Sequence, residues 1–140
     1  AYAGIPLTHR EFAQQVTLAT GHLSGHEYGS ANAIGSPGRS EGGASQTLVV
    51  YMGVRQARQL RRKLLAQGAA SGMTSATPAA LIIDGTMDRQ RVVHGSISEL
   101  PAMAAQVPDG APGLFIIGAV AALGLDLAWF GLERAFDAAA

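Results

Sequence analysis

The sequence predicts an α/β domain, a mixed sheet of four to five strands flanked by helices. Three observations carry that expectation. Runs of β-forming residues recur at 47–51, 79–83 and 114–117. The runs end at turn formers, Met52-Gly53, Asp84-Gly-Thr86 and Gly118. Segments with apolar residues at helical spacing follow, so strand and helix patterns alternate along the chain.

Taken in order, Gly4 and Pro6 break any helix at the start, so residues 1–10 read as a loop. Residues 11–15 have the composition of a short helical turn, and 16–20 of a short strand closed by Gly21. Residues 24–46 are rich in Gly, Ser, Ala and Pro, show no apolar period, and read as a long flexible surface loop. Residues 47–51 form the central strand. Its C-terminal end, Met52-Gly53, is where α/β sheets usually place a ligand. Residues 54–67 are the clearest helix, with Val54, Ala57, Leu60, Leu64 and Leu65 on one stripe and Arg55, Arg58, Arg61, Arg62 and Lys63 on the other faces. Gly68 is suited to a left-handed C-terminal cap. After a connector at 69–76, Pro78 introduces a strand over 79–83 of the kind buried on both faces. Residues 91–95 make the next strand. Ser96 and Glu99 have capping-box spacing, which predicts a helix over 99–106 with Pro101 in its first turn. Residues 114–118 are the last apolar strand, and 120–137 a terminal helix. The stretch 111–132 approaches membrane-spanning length, but its glycines divide it into strand and helix, which favours a soluble core.

A chain of 140 residues with 48% apolar content folds as one α/β domain over 1–140. Ten basic and ten acidic residues cancel. Hence no bulk attraction draws the chain to nucleic acid or an anionic membrane, and neither is expected as a partner. With no cysteine, disulfides and thiolate metal sites are excluded, which fits a cytoplasmic location. His22 and His26 share a probable loop with no third ligand, so no metal site is expected. The basic helix carries no interleaved aromatics and reads as a solvated face. The chain starts at Ala1 without an initiator Met, as a piece cut from a longer protein would.

Several segments together resemble a known family. Ala1-Tyr-Ala-Gly-Ile-Pro-Leu-Thr-His-Arg10 is similar to the segment that joins the two halves of uroporphyrinogen-III C-methyltransferases, the tetrapyrrole methylases that also form the methyltransferase module of sirohaem synthase. Thr20-Gly-His22, Gln46-Thr-Leu-Val-Val-Tyr-Met-Gly53, Pro78-Ala-Ala-Leu81, Asp84-Gly-Thr86, Gln90-Arg-Val-Val93 with Gly95, Leu114-Phe-Ile-Ile-Gly118 and Leu127-Ala-Trp-Phe130 follow in the family's order. The likeness covers most of the chain apart from 24–45 and the last ten residues, and it corresponds to the second, C-terminal domain alone. It implies S-adenosyl-L-methionine as cofactor, S-adenosyl-L-homocysteine as product, and methylation of uroporphyrinogen III to precorrin-2 for sirohaem or cobalamin synthesis. It also implies a missing N-terminal domain that carries the Gly-rich loop and the catalytic acid, so this chain holds no catalytic residue and is expected to be inactive alone. The family commonly pairs as a homodimer.

The resemblance assigns roles residue by residue. Met52 matches a methionine that touches the cofactor, where a flexible thioether packs on an adenosyl group. Gly85 matches a second cofactor contact, where glycine lets the backbone come close, and Thr86 adds a hydroxyl. Arg10 and His9 are candidate contacts to the carboxylates of the substrate. Two positions where the family carries basic residues, Ala119 and Gly124, depart from its pattern. The alternative is a non-enzymatic α/β module that keeps the fold and works by assembly or binding.

Overall fold

The computed structural model describes residues 2–21 and 46–127. Of the stretch 24–46 read as a flexible loop, residues 24–45 lie outside the described residues, as do His22, His26 and the helix tail beyond Leu127, whereas Gln46 is the first residue of a strand and is buried. Five strands form one mixed sheet: β1 (Gln15–Thr20), β2 (Gln46–Tyr51), β3 (Pro78–Ile83), β4 (Arg91–Ser96) and β5 (Gly113–Ile117), in the order β1-β2-β5-β3-β4. β1 and β2 are parallel; β5 runs antiparallel to both β2 and β3, and β4 antiparallel to β3. Strands β1, β2 and β3 therefore all point the same way, and their C-terminal ends share one edge of the sheet.

Alternation along the strands sorts side chains onto two faces. Leu48, Val50, Leu81, Ile83, Phe115 and Ile117 pack on one face against Ala57, Leu60 and Leu64 of helix α1 (Ala57–Ser71) and Leu100 and Met103 of helix α2 (Leu100–Ala104). Ala80 and Ile116 face the other way. They pack under Ala3, Ile5 and Ala13 of the N-terminal segment and Val120 and Ala121 of helix α3 (Val120–Leu127). The run 111–132 is thus divided between β5 and α3 as far as it is described. Among the described residues no helix is long and apolar enough to cross a membrane.

Three local expectations are corrected. Residues 11–15 make no helical turn. Phe12 and Ala13 both donate to the His9 carbonyl (3.2 and 2.9 Å), His9 and Ala13 form an isolated antiparallel bridge, and Gln15 already opens β1. Helix α1 does not stop at Gly68. It runs to Ser71, and Gly72, at φ 67°, is the left-handed cap. The expected helix over 99–106 is shorter and starts differently: a 3-10 turn at Ile97–Glu99 leads into α2, with Pro101 in the first turn. The Ser96 amide does donate to Glu99 Oε2 at 2.9 Å, so the capping-box spacing is used.

Candidate functional site

The shared edge is built from two strand ends. β2 finishes at Tyr51, and Met52 turns out of the sheet with φ 54° before Gly53 starts a 3-10 turn, Val54–Gln56, that leads into α1. Space is tight behind Met52. The Gly21 amide donates to the Tyr51 carbonyl at 2.6 Å, and a Cβ on Gly21 would meet the Gly53 backbone. The methionine side chain is 62% exposed, beside the half-exposed Tyr51. β5 lies between β2 and β3, so the end of β3 stands about 10 Å away, two strand spacings.

There the chain turns through Asp84, Gly85 and Thr86. Asp84 has φ 51° and Thr86 has φ 71°, whereas Gly85 needs no left-handed backbone. A left-handed conformation is uncommon outside glycine, and for a β-branched threonine it is an outlier. Each such residue costs on the order of 1 kcal/mol or more, and strain of this kind collects at ligand sites. Among the described residues, the non-glycine positions with positive φ are Met52, Asp84 and Thr86, all at this edge.

The Asp84–Thr86 turn is braced from several sides. Asp84 N–H donates to the Pro112 carbonyl at 3.0 Å, and Met87 N–H to the Asp84 carbonyl at 3.1 Å. Arg89 donates through Nε (2.8 Å) and Nη2 (3.3 Å) to both oxygens of the buried Asp84 carboxylate. The hydrogen bond first, and the charge of Asp84 second, raise the Arg89 guanidinium above its ordinary pKa. Asp84 is thereby engaged as a structural carboxylate of the turn. Gln90 accepts from the Thr86 amide at 2.7 Å and donates to the Tyr2 carbonyl at 3.1 Å.

Met52, Gly85 and Thr86 are thus brought to one edge of the sheet. Arg10 and His9 are not among them. They precede β1, and it is the other end of that strand, at Thr20, that points to the edge. The His9 ring stacks on Phe12 at 4.7 Å and its Nδ1 accepts from the Glu11 amide at 3.2 Å. Arg10 is exposed. On the α3 face a cavity of about 310 Å³ is lined by Tyr2, Gln90, Val92, His94, Gly124 and Leu125, with Ala3. Gly124, one of the two departures, is closely packed: a Cβ there would stand 2.6 Å from Ile5 Cγ1 and 2.8 Å from His94 Cε1. Among the described residues no group of three or more His, Cys, Asp and Glu side chains is placed to hold a metal. Sequence reading missed the roles of Arg89 and Gln90. The signal was an Asp-Gly turn followed five and six residues after the Asp by a cation and a carboxamide.

Fold and edge together define an α/β domain with strained backbone at the ends of two strands that point the same way. The family model for tetrapyrrole (corrin/porphyrin) methylases matches residues 1–101, and the chain belongs to that family. It is 43% identical over 142 aligned residues to siroheme synthase 2 of Serratia proteamaculans (strain 568), covering 96% of this chain and 26% of the relative. It is 45% identical over 131 aligned residues to siroheme synthase of Salmonella typhimurium (strain LT2), covering 93% and 26%. The crystal structure of uroporphyrin-III C-methyl transferase from Thermus thermophilus complexed with S-adenyl homocysteine superposes with a TM-score of 0.62 at 26% identity, over 87% of this chain and 49% of that one. Cobalt precorrin-4 methyltransferase shares the fold, with a TM-score of 0.64 at 14% identity, over 85% of this chain and 46% of that one. The chain therefore spans about a quarter of the siroheme synthases it matches and about half of each solved methyltransferase.

Proposed function

We propose that this chain is the C-terminal part of an S-adenosyl-L-methionine-dependent methyltransferase acting on uroporphyrinogen III, a maker of precorrin-2 for sirohaem or cobalamin, and that it needs an N-terminal half to turn over. The observation that carries the reading is the concentration of left-handed, non-glycine backbone at the sheet edge that holds Met52 and Asp84–Thr86, in a chain of this family. The residues present suit the cofactor. Exposed Met52, Tyr51 and Met87 offer apolar and sulfur surface for an adenosyl group, and the raised turn presents backbone and hydroxyl groups for its polar edge.

When bound, S-adenosyl-L-methionine supplies an activated methyl group on a sulfonium. The work left to this half is to bind and to orient. Met52 and the Gly85–Thr86 backbone would fix one side of the ligand. The Arg89–Asp84 pair keeps the turn in shape without presenting a free carboxylate. The proposed role of Arg10 and His9 is confined to substrate carboxylates. Arg10→Ala should therefore raise KM for the tetrapyrrole in the assembled enzyme while leaving S-adenosylhomocysteine affinity unchanged.

Calorimetric titration of the chain with S-adenosylhomocysteine tests the cofactor assignment, with Met52→Ala as control. Binding that weakens in the variant supports it. An absence of heat at millimolar ligand overturns the assignment of a cofactor edge to this half. A pure assembly role has one observation in its favour: among the described residues β1 is an edge strand whose Leu18 is 64% exposed. Light scattering that finds a clean monomer counts against that second reading and against a homodimer.

A further inference from the structure

We propose that Gln90 is a positioning residue for the cofactor edge, clamping the strained Thr86 and tying the turn to the N-terminal segment. The proposal rests on the reading of that edge given above. The Thr86 amide is paired with an acceptor and the Tyr2 carbonyl with a donor. The Gln90 side chain supplies both, through Oε1 at 2.7 Å and Nε2 at 3.1 Å. A carboxamide accepts at one end and donates at the other, whereas a carboxylate accepts only and an ammonium donates only. The two pairings also settle which end of the amide is oxygen.

The tie links two parts of the chain 88 residues apart. One is the Asp84–Thr86 turn, whose two left-handed residues have no glycine to make that shape inexpensive. The other is the segment that carries Ala3 and Ile5 into the second core, where both are buried. A fixed point in the core thus holds a strained turn through one side chain. Gln90 N–H also donates to the Met87 carbonyl at 2.9 Å, so the backbone of the clamp is held as well. Holding the turn in its bound shape before the ligand arrives lowers the ordering cost of binding.

Two variants separate the two bonds. Gln90→Ala removes both. Gln90→Glu keeps the acceptor for Thr86 and loses the donor to Tyr2. By calorimetry, Gln90→Ala should weaken S-adenosylhomocysteine binding about tenfold, the loss of about one hydrogen bond's net contribution, and Gln90→Glu should recover part of that loss. Thermal midpoints of both should stay near the parent's, since the side chain lies at the surface. Amide exchange provides a readout free of ligand: the Thr86 amide should exchange at least tenfold faster in Gln90→Ala and near the parent rate in Gln90→Glu. Unchanged affinity and exchange in both variants, with Met52→Ala still weakening the ligand, overturns the proposal alone. A chain that fails to bind S-adenosylhomocysteine before any substitution overturns the edge itself and the role of Gln90 in it.

Discussion

At Met52 the backbone is strained and the side chain contributes little to folding. Its φ is 54° and the thioether is 62% exposed, so truncation removes little buried area. Met52→Ala should leave the unfolding free energy within about 0.5 kcal/mol of the parent while lowering S-adenosylhomocysteine affinity. Denaturant melts beside titrations read the two effects separately. Gly21 is the opposite case. A side chain there would press on the Gly53 backbone, with the Gly53 nitrogen only 2.8 Å from a new Cβ. Gly21→Ala should cost about 1–3 kcal/mol, measured as a lowered denaturation midpoint, because backbone cannot move aside as a side-chain tip can. Residue identity at this edge was partly legible. The run ending at Met52-Gly53 and the Asp84-Gly-Thr86 turn could be read as strand ends. The left-handed backbone at Met52, Asp84 and Thr86 could not, because none of the three is the glycine that would advertise it. The Gln90 clamp was hidden for another reason: its second partner, Tyr2, is distant in sequence and near only in the fold.

Elements were read where local pattern decides them. β2, β3 and β5 are apolar runs buried among neighbours, and the apolar period of α1 puts Ala57, Leu60 and Leu64 in the core. Leu64 is fully buried between helix and sheet. Leu64→Ala should cost about 2–5 kcal/mol, read in the same melts. The helix end was misjudged because two glycines compete for it. Gly68 comes first in sequence, but the helix continues to Ser71 and the left-handed cap falls on Gly72. A Cβ on Gly72 would meet nothing within 4 Å. Gly72→Ala should therefore show the backbone cost alone, about 1 kcal/mol, with no loss of packing. The start of the chain misled in the same way. The stretch 11–15 has helix composition, yet Ala13 is drawn into the second core and the chain must be extended by Gln15. A buried contact that is distant in sequence outweighs a weak local preference.

Across the whole molecule, the strand order was the least legible feature. Alternating strand and helix patterns announce an α/β sheet but not that β5, last in the chain, inserts between β2 and β3. That insertion creates the edge. It spaces the end of β2 from the end of β3 and supplies Pro112 to pin Asp84. On the proposed reading this edge is one wall of a cofactor site, and catalysis by methyl transfer needs donor and acceptor held face to face in a closed site. The chain aligns with about a quarter of each siroheme synthase and about half of each solved methyltransferase. The carboxylate of the turn itself, Asp84, is held by Arg89. An isolated wall that binds without enclosing should then show affinity without turnover. Incubated with S-adenosyl-L-methionine and uroporphyrinogen III, this chain alone should yield no methylated product above the uncatalysed background. Addition of the N-terminal half of a methylase of this family should restore turnover, and Met52→Ala should reduce what is restored. Turnover by the chain alone would refute the half-enzyme reading, because one sheet edge would then suffice to align both reactants.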